Sequence, residues 1–167
     1  GYTNYCPRDI LLVIADHIIE TPNVNRSRAQ ETFSYRALMV EYLTSGAKWY
    51  SAPKPMLLES LFEVDKNTPP PRNDEPAFDA ANVLRLGQDL IYLVSSTGNE
   101  LGGQWLQTIL GDTFRVHFCK DVYYGSHIDS TLVALRQGLM LCNPDRLNDD
   151  SLPEILKQWD VIYSPPM

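Results

Sequence analysis

One order of elements recurs three times along the chain, and that recurrence limits the fold more than any single motif. The first unit opens with the apolar run "DILLVIA", turns at Asp16-His17 and returns as "IIETP". A helix follows. Ser27 and Gln30 have the spacing of a capping box, and Gly46 stands where a glycine ends a helix. Tyr35, Leu38, Met39 and Tyr42 fall at i, i+3, i+4 and i+7, which predicts one buried helix face. "KWYSAP" closes the unit as a strand. The second unit reads the same way. "NVLRLG" and "LIYLVSS" are strands around a turn at Gln88-Asp89, "NELGGQWLQTILGD" is a helix ending at Gly111, and "FRVHF" is the closing strand. The third gives "TLVALRQ", a turn at Gly138, "LMLCNPD", a helix opened by a capping box of Ser151 and Glu154, and "DVIYS".

A strand–strand–helix–strand unit cannot bury its sheet and its helix alone. Copies arranged around an axis, as in a propeller, solve that problem. Each unit carries an aspartate just before its first strand: Asp9, Asp79 and Asp129. Around an axis these carboxylates converge. Lacking calcium-type spacing, they fit a cationic ligand, because carboxylates match the geometry of a guanidinium. In "SHIDSTL", His127 and Asp129 stand two apart, and an extended strand would point both to one side. A carboxylate beside an imidazole keeps it protonated and oriented. Arg146, in "NPDR", reads as a solvated loop residue or as a clamp for a substrate carboxylate.

Composition excludes several functions. The net charge is −7 and the 14 basic residues are scattered, so a phosphate-binding basic face is not expected and nucleic acid is excluded as a partner. The longest aliphatic run, Ile10 to Ala15, falls far short of the ~20 residues that span a bilayer. The three cysteines, Cys6, Cys119 and Cys142, are too few and too odd in number for a disulfide framework and fit a reducing cytoplasm. His17, His117 and His127 are widely spaced and no C-x-x-C occurs, so no metal site is expected. Phosphate-cradling glycine motifs and the G-x-S-x-G elbow are missing too, so no nucleotide cofactor or hydrolase elbow is expected. "KNTPPPRNDEP", Lys66 to Pro76, reads as a surface loop, and "PMLLESLFEV" before it as a short helix or an irregular edge. The chain opens on glycine and stops just after the strand-like "VIYS", which reads as an internal piece of a longer protein.

The segments "PRDILLVIADHIIETP", "GAKWYSAPKP", "EPAFDAANVLRLGQDL", "LGGQWLQ", "HIDSTL" and "NPDR" occur in order over nearly the whole chain. Together they resemble the glycine amidinotransferases of the pentein superfamily, with a lean toward the cyanobacterial toxin-pathway enzymes of the cylindrospermopsin type. The resemblance implies an α/β fold, a five-bladed propeller of ββαβ modules. Residues 1–167 would then form a partial catalytic domain of about three modules, without the N-terminal module and the C-terminal cysteine-bearing segment. It implies transfer of the amidino group of L-arginine to an amine, with glycine as the default acceptor. The products would be L-ornithine and guanidinoacetate, formed through an amidino-cysteine intermediate.

By the same resemblance Asp79 and His127 are the acid–base pair, Asp9 and Asp129 grip the guanidinium, and Arg146 holds the amino-acid carboxylate. No cofactor is implied, the partners are small molecules, and a homodimer is left open. The family's nucleophile lies in a glycine-rich stretch ending His-Cys, which does not occur here. Cys6, Cys119 and Cys142 read as strand or core residues, so the piece itself is expected to be inactive. Two departures bear on the acceptor. "YYGSHID" places Tyr124 and Ser126 where the vertebrate pattern has Asn-Pro-Met before His-Ile-Asp, and the loop between Pro55 and Glu75 is shorter. Two other readings stand beside transfer: a pentein hydrolase of the arginine deiminase type, and a non-catalytic pentein binding protein.

Overall fold

The structure, a computed structural model, describes residues 5–64 and 70–165. The middle of the proline-rich loop (65–69) and both chain ends lie outside them. Among the described residues, nine strands form three separate three-stranded sheets of identical topology. The first holds β1 (Leu11–Ile14), β2 (His17–Glu20) and β3 (Lys48–Ser51). The second holds β4 (Val83–Leu86), β5 (Asp89–Leu93) and β6 (Arg115–Cys119). The third holds β7 (Leu132–Arg136), β8 (Leu139–Cys142) and β9 (Asp160–Tyr163). In each, the middle strand pairs antiparallel with the strand before it and parallel with the strand after it. A parallel pair needs a crossover, and helices α1 (Arg36–Thr44) and α2 (Glu100–Leu110) supply the first two. This is the strand–strand–crossover–strand unit that the sequence repeats.

Strand β5 shows why the modules pack side by side. Leu90 and Tyr92 enter one core with Leu12, Ile14 and Ile19 of the first module and with Phe78, which precedes β4. Ile91 and Leu93 enter a second core with Ile128, Leu132, Met140 and Leu156 of the third. Successive strand residues face opposite sides, so an unbroken apolar run is what a sheet covered on both faces requires. All four side chains have zero exposure.

Helix α2 follows its expected course. Asn99 caps it by accepting from the Gly102 amide at 2.9 Å, and Gly111 ends it at φ 60°. Gly102 and Gly103 let it approach closely: a side-chain carbon on Gly102 would meet Phe78 and Tyr92, and one on Gly103 would strike Phe118.

Three expectations need correction. The Ser27–Gln30 box does not open α1. Asn25 Oδ1 instead accepts from the Ser27 amide and hydroxyl, and two 3-10 turns, Arg26–Arg28 and Glu31–Tyr35, precede the helix. The predicted buried face of α1 is only partly buried. Met39 is buried, whereas Leu38 and Tyr42 are 45% and 49% exposed and border an open groove with Leu11, Val13 and Ile18. The third crossover is not an α-helix but a single 3-10 turn, Glu154–Leu156. Asn148 draws the amides of Asp150 and Ser151 into a local turn, and Pro153 biases the residue before it away from helical geometry. The segment "PMLLESLFEV" holds a 3-10 turn at Glu59–Phe62. No helix among the described residues is long and apolar enough to cross a membrane.

Candidate active site

A short 3-10 turn precedes the first strand of every module: Pro7–Asp9, Ala80–Asn82 and Ile128–Ser130. The middle turn packs against both others, so the three meet where the modules adjoin. This brings Asp9 and Asp79, two of the aspartates that the repeat singled out, to His127. Asp79 stands just before its turn and His127 just before the next. Asp79 Oδ2 lies 3.1 Å from His127 Nε2. Asp9 Oδ1 lies 3.9 Å from the other ring nitrogen, Nδ1. Both imidazole nitrogens therefore face carboxylates.

Asp79 is held as well as buried. Its Oδ1 accepts from Asn23 Nδ2 at 2.7 Å and from the Val24 amide at 3.4 Å, and its own amide donates to the Thr97 carbonyl. The hydrogen bond to Asp79 raises the His127 pKa above its ordinary 6.5 against the opposing effect of burial, with the charges of Asp79, Asp9 and Asp129 adding to the rise. Behind the pair lies a polar network that the sequence did not announce. Asn82 donates to the Leu93 carbonyl and Ser95, Thr97 donates to Asn82, and Ser95 Oγ donates to the Ser126 carbonyl at 2.7 Å. A cleft of about 520 Å³ opens here, lined among others by Asn25, Arg28, Asp79, Thr97, Ser126 and His127.

His127 and Asp129 do not share a strand face. Ser130 Oγ donates to the His127 carbonyl and the Thr131 amide to the Ile128 carbonyl, which coils the segment into a turn. Asp129 consequently leaves the histidine and sits half-exposed 3.3 Å from Arg8. Asp9 also carries a guanidinium, that of Arg28, at 2.7 Å. Arg28 is nearly buried and is bound further to Glu31 and the Cys6 carbonyl. It was missed because "NRSR" reads as helix-opening polarity until its partners, nineteen residues upstream and three downstream, are placed. Arg146 is tethered to Ser130 by bonds of 2.8 Å to its carbonyl and 2.7 Å to its hydroxyl.

Neither buried thiol is poised to attack. Burial pushes Cys119 and Cys142 up to about 11 each. Among the described residues no group of histidines, cysteines and carboxylates could hold a metal ion.

No family model matches the chain. Individual proteins do. It is 48% identical over its full length to an inosamine-phosphate amidinotransferase of Streptomyces glaucescens, covering 48% of that protein. It is 36% identical, over 95% of its length, to the mitochondrial glycine amidinotransferase of Gallus gallus, covering 41% of it. Among solved structures, the inosamine-phosphate amidinotransferase of Streptomyces griseus superposes with a TM-score of 0.91 at 50% identity, over 96% of this chain and 47% of that one. An amidinotransferase of the saxitoxin pathway from Microseira wollei gives 0.86 at 40% identity, over 95% and 48%. Identity is thus higher toward the Streptomyces proteins than toward the cyanobacterial one, and a cylindrospermopsin-type assignment finds no support in these values. By sequence and fold together, the chain is similar over nearly its whole length to amidinotransferases, with whose structures it shares the α/β pentein fold, and it spans about half the length of the relatives it matches.

Proposed function

We propose that this chain carries part of an active site that moves the amidino group of L-arginine to an amine, and that the amine belongs to a phosphorylated aminocyclitol of the inosamine class. The observation that carries the reading is the imidazole of His127 held between the carboxylates of Asp79 and Asp9. Such a group can give a proton to the departing ornithine amine and then take one from the incoming amine. In the first half-reaction a thiolate attacks the guanidinium carbon, the bond to the ornithine nitrogen breaks, and His127 supplies the proton that nitrogen needs. In the second, the acceptor amine attacks the same carbon, His127 removes its proton, and the thiolate departs. Cys119 and Cys142, with pKa values near 11, do not suit that thiolate.

The guanidinium sites follow from what the carboxylates already hold. Arg28 is nearly buried and multiply bonded, so it stays on Asp9 as a fixed countercharge. Arg8 is half-exposed on Asp129, a pairing worth about 0–1 kcal/mol, which an incoming arginine can displace. On this reading Asp129 takes the substrate guanidinium by exchange, and Arg146 takes its carboxylate. Glycine was the acceptor expected from the resemblance. The inosamine-phosphate relative, at 48% against 36%, favours the cyclitol.

Product analysis of the complete protein with L-arginine tests this. Ornithine should form in step with an amidinated aminocyclitol phosphate and slowly with glycine. Citrulline and ammonia formed without any acceptor would instead identify a hydrolase of the deiminase type.

A further inference from the structure

Arg146 cannot orient a carboxylate unless its own guanidinium is held, and Ser130 binds only one of its nitrogens, Nη1. The rest of the plane lies on the ring of Tyr123, with the guanidinium carbon 3.5 Å from the ring centroid. We propose that Tyr123 is a positioning residue for arginine recognition: its ring forms the platform on which Arg146 is set, and it thereby governs affinity for the α-carboxylate of the donor. This rests on the amidine-transfer reading above.

Three features show a built platform rather than a chance contact. The Tyr123 ring packs onto the second core alongside Val122 and Trp159, so it is fixed from below. Gly125 leaves room for it, because a side-chain carbon at that position would collide with the phenol ring. The loop that carries both is pinned to the segment after β5, where the Ser96 amide donates to the Tyr124 carbonyl at 3.0 Å and the Ser96 hydroxyl to the Gly125 carbonyl. The chain of contact then runs from Gly125 to Tyr123, Arg146, Ser130 and the His127 carbonyl. Carboxylate recognition and the acid–base group are thus set by one continuous piece of structure. A guanidinium stacked on an aromatic face loses less freedom when it takes up a planar, bidentate carboxylate.

The test is steady-state kinetics of the complete protein with two donors, L-arginine and agmatine, which is arginine without its carboxylate. Tyr123→Leu should raise the KM for L-arginine by about three- to tenfold, with kcat changed by less than about twofold, and should leave the KM for agmatine unchanged. Tyr123→Phe keeps the ring and should behave as the parent. In an Arg146→Ala background, Tyr123→Leu should add nothing. An unchanged arginine KM, an equal loss on both donors, or full additivity with Arg146→Ala would overturn the proposal. A parent protein that forms no ornithine from arginine would overturn the amidine-transfer reading instead.

Discussion

Among the described residues, His117 and His127 are each hydrogen-bonded to an aspartate, and only one of them sits in a candidate site. His117 Nε2 is 2.8 Å from Asp89, closer than the 3.1 Å between His127 and Asp79. Distance therefore does not separate them; surroundings do. Asp89 lies at the end of a sheet with Arg115 on both of its oxygens, so its charge is already answered by a solvent-exposed guanidinium. Asp79 is buried, is bonded to no cationic side chain among the described residues other than the imidazole, and takes neutral donors from Asn23 and Val24. The second ring nitrogen of His127 faces another carboxylate, Asp9, across the meeting of the three turns. The first pair is an edge contact. The second is an imidazole whose charge state its environment controls.

Exchanging the two histidines' fates would break this contrast. His127→Ala in the complete protein should lower kcat by about 10²–10⁴-fold, the span expected for losing a positioned acid–base group. His117→Ala should leave kcat within about twofold, since it removes only a sheet-edge contact. Parallel turnover measurements decide it, and equal losses would dissolve the distinction.

The repeat and the convergence of Asp9 and Asp79 could be read from the sequence, because both follow from local apolar patterning and a fixed position before each first strand. What could not be read depended on partners far along the chain. The Asn82–Ser95–Thr97 network, the Arg28–Asp9 bond and the seat of Tyr123 under Arg146 join residues whose types are common in loops. The misplacement of Asp129 has a local cause. A two-residue spacing was given strand geometry, whereas Ser130 folds the backbone onto the His127 carbonyl and turns the carboxylate toward Arg8. The exposed side of α1 teaches the reverse lesson. Its apolar spacing is present, but spacing states what a helix can bury, not what covers it.

A smaller effect sharpens the same comparison. Asp79→Asn keeps an oxygen for Asn23 and Val24 and turns an amide toward His127. An amide donor favours the neutral ring, so the His127 pKa should fall back toward 6.5. The alkaline limb of the kcat profile, which reports loss of the imidazolium, should move to lower pH, with kcat at the optimum reduced by about 10–100-fold. An unmoved limb would mean that Asp79 does not set the charge of His127. Asp89→Asn should leave the whole profile in place.

The smallest effect is on stability, and there the two pairs run in opposite directions with pH. Hydrogen bonds from Arg115 hold the Asp89 carboxyl at about 2, down from 3.8. That group adds stability above pH 3.8 and loses it as pH falls toward 2. Asp89→Asn should therefore lower Tm at pH 7 by about 1–3 °C, with the two proteins converging near pH 2 if both remain folded there. For His127 the pKa is raised, so its contribution is complete below 6.5 and disappears as pH rises through the higher folded value. The Tm deficit of His127→Gln should accordingly be greatest in mild acid and shrink in alkali. Thermal melts of both variants across pH, beside the parent, would show one deficit closing toward acid and the other toward base. Two deficits that close in the same direction would mean that the pairs are of one kind after all.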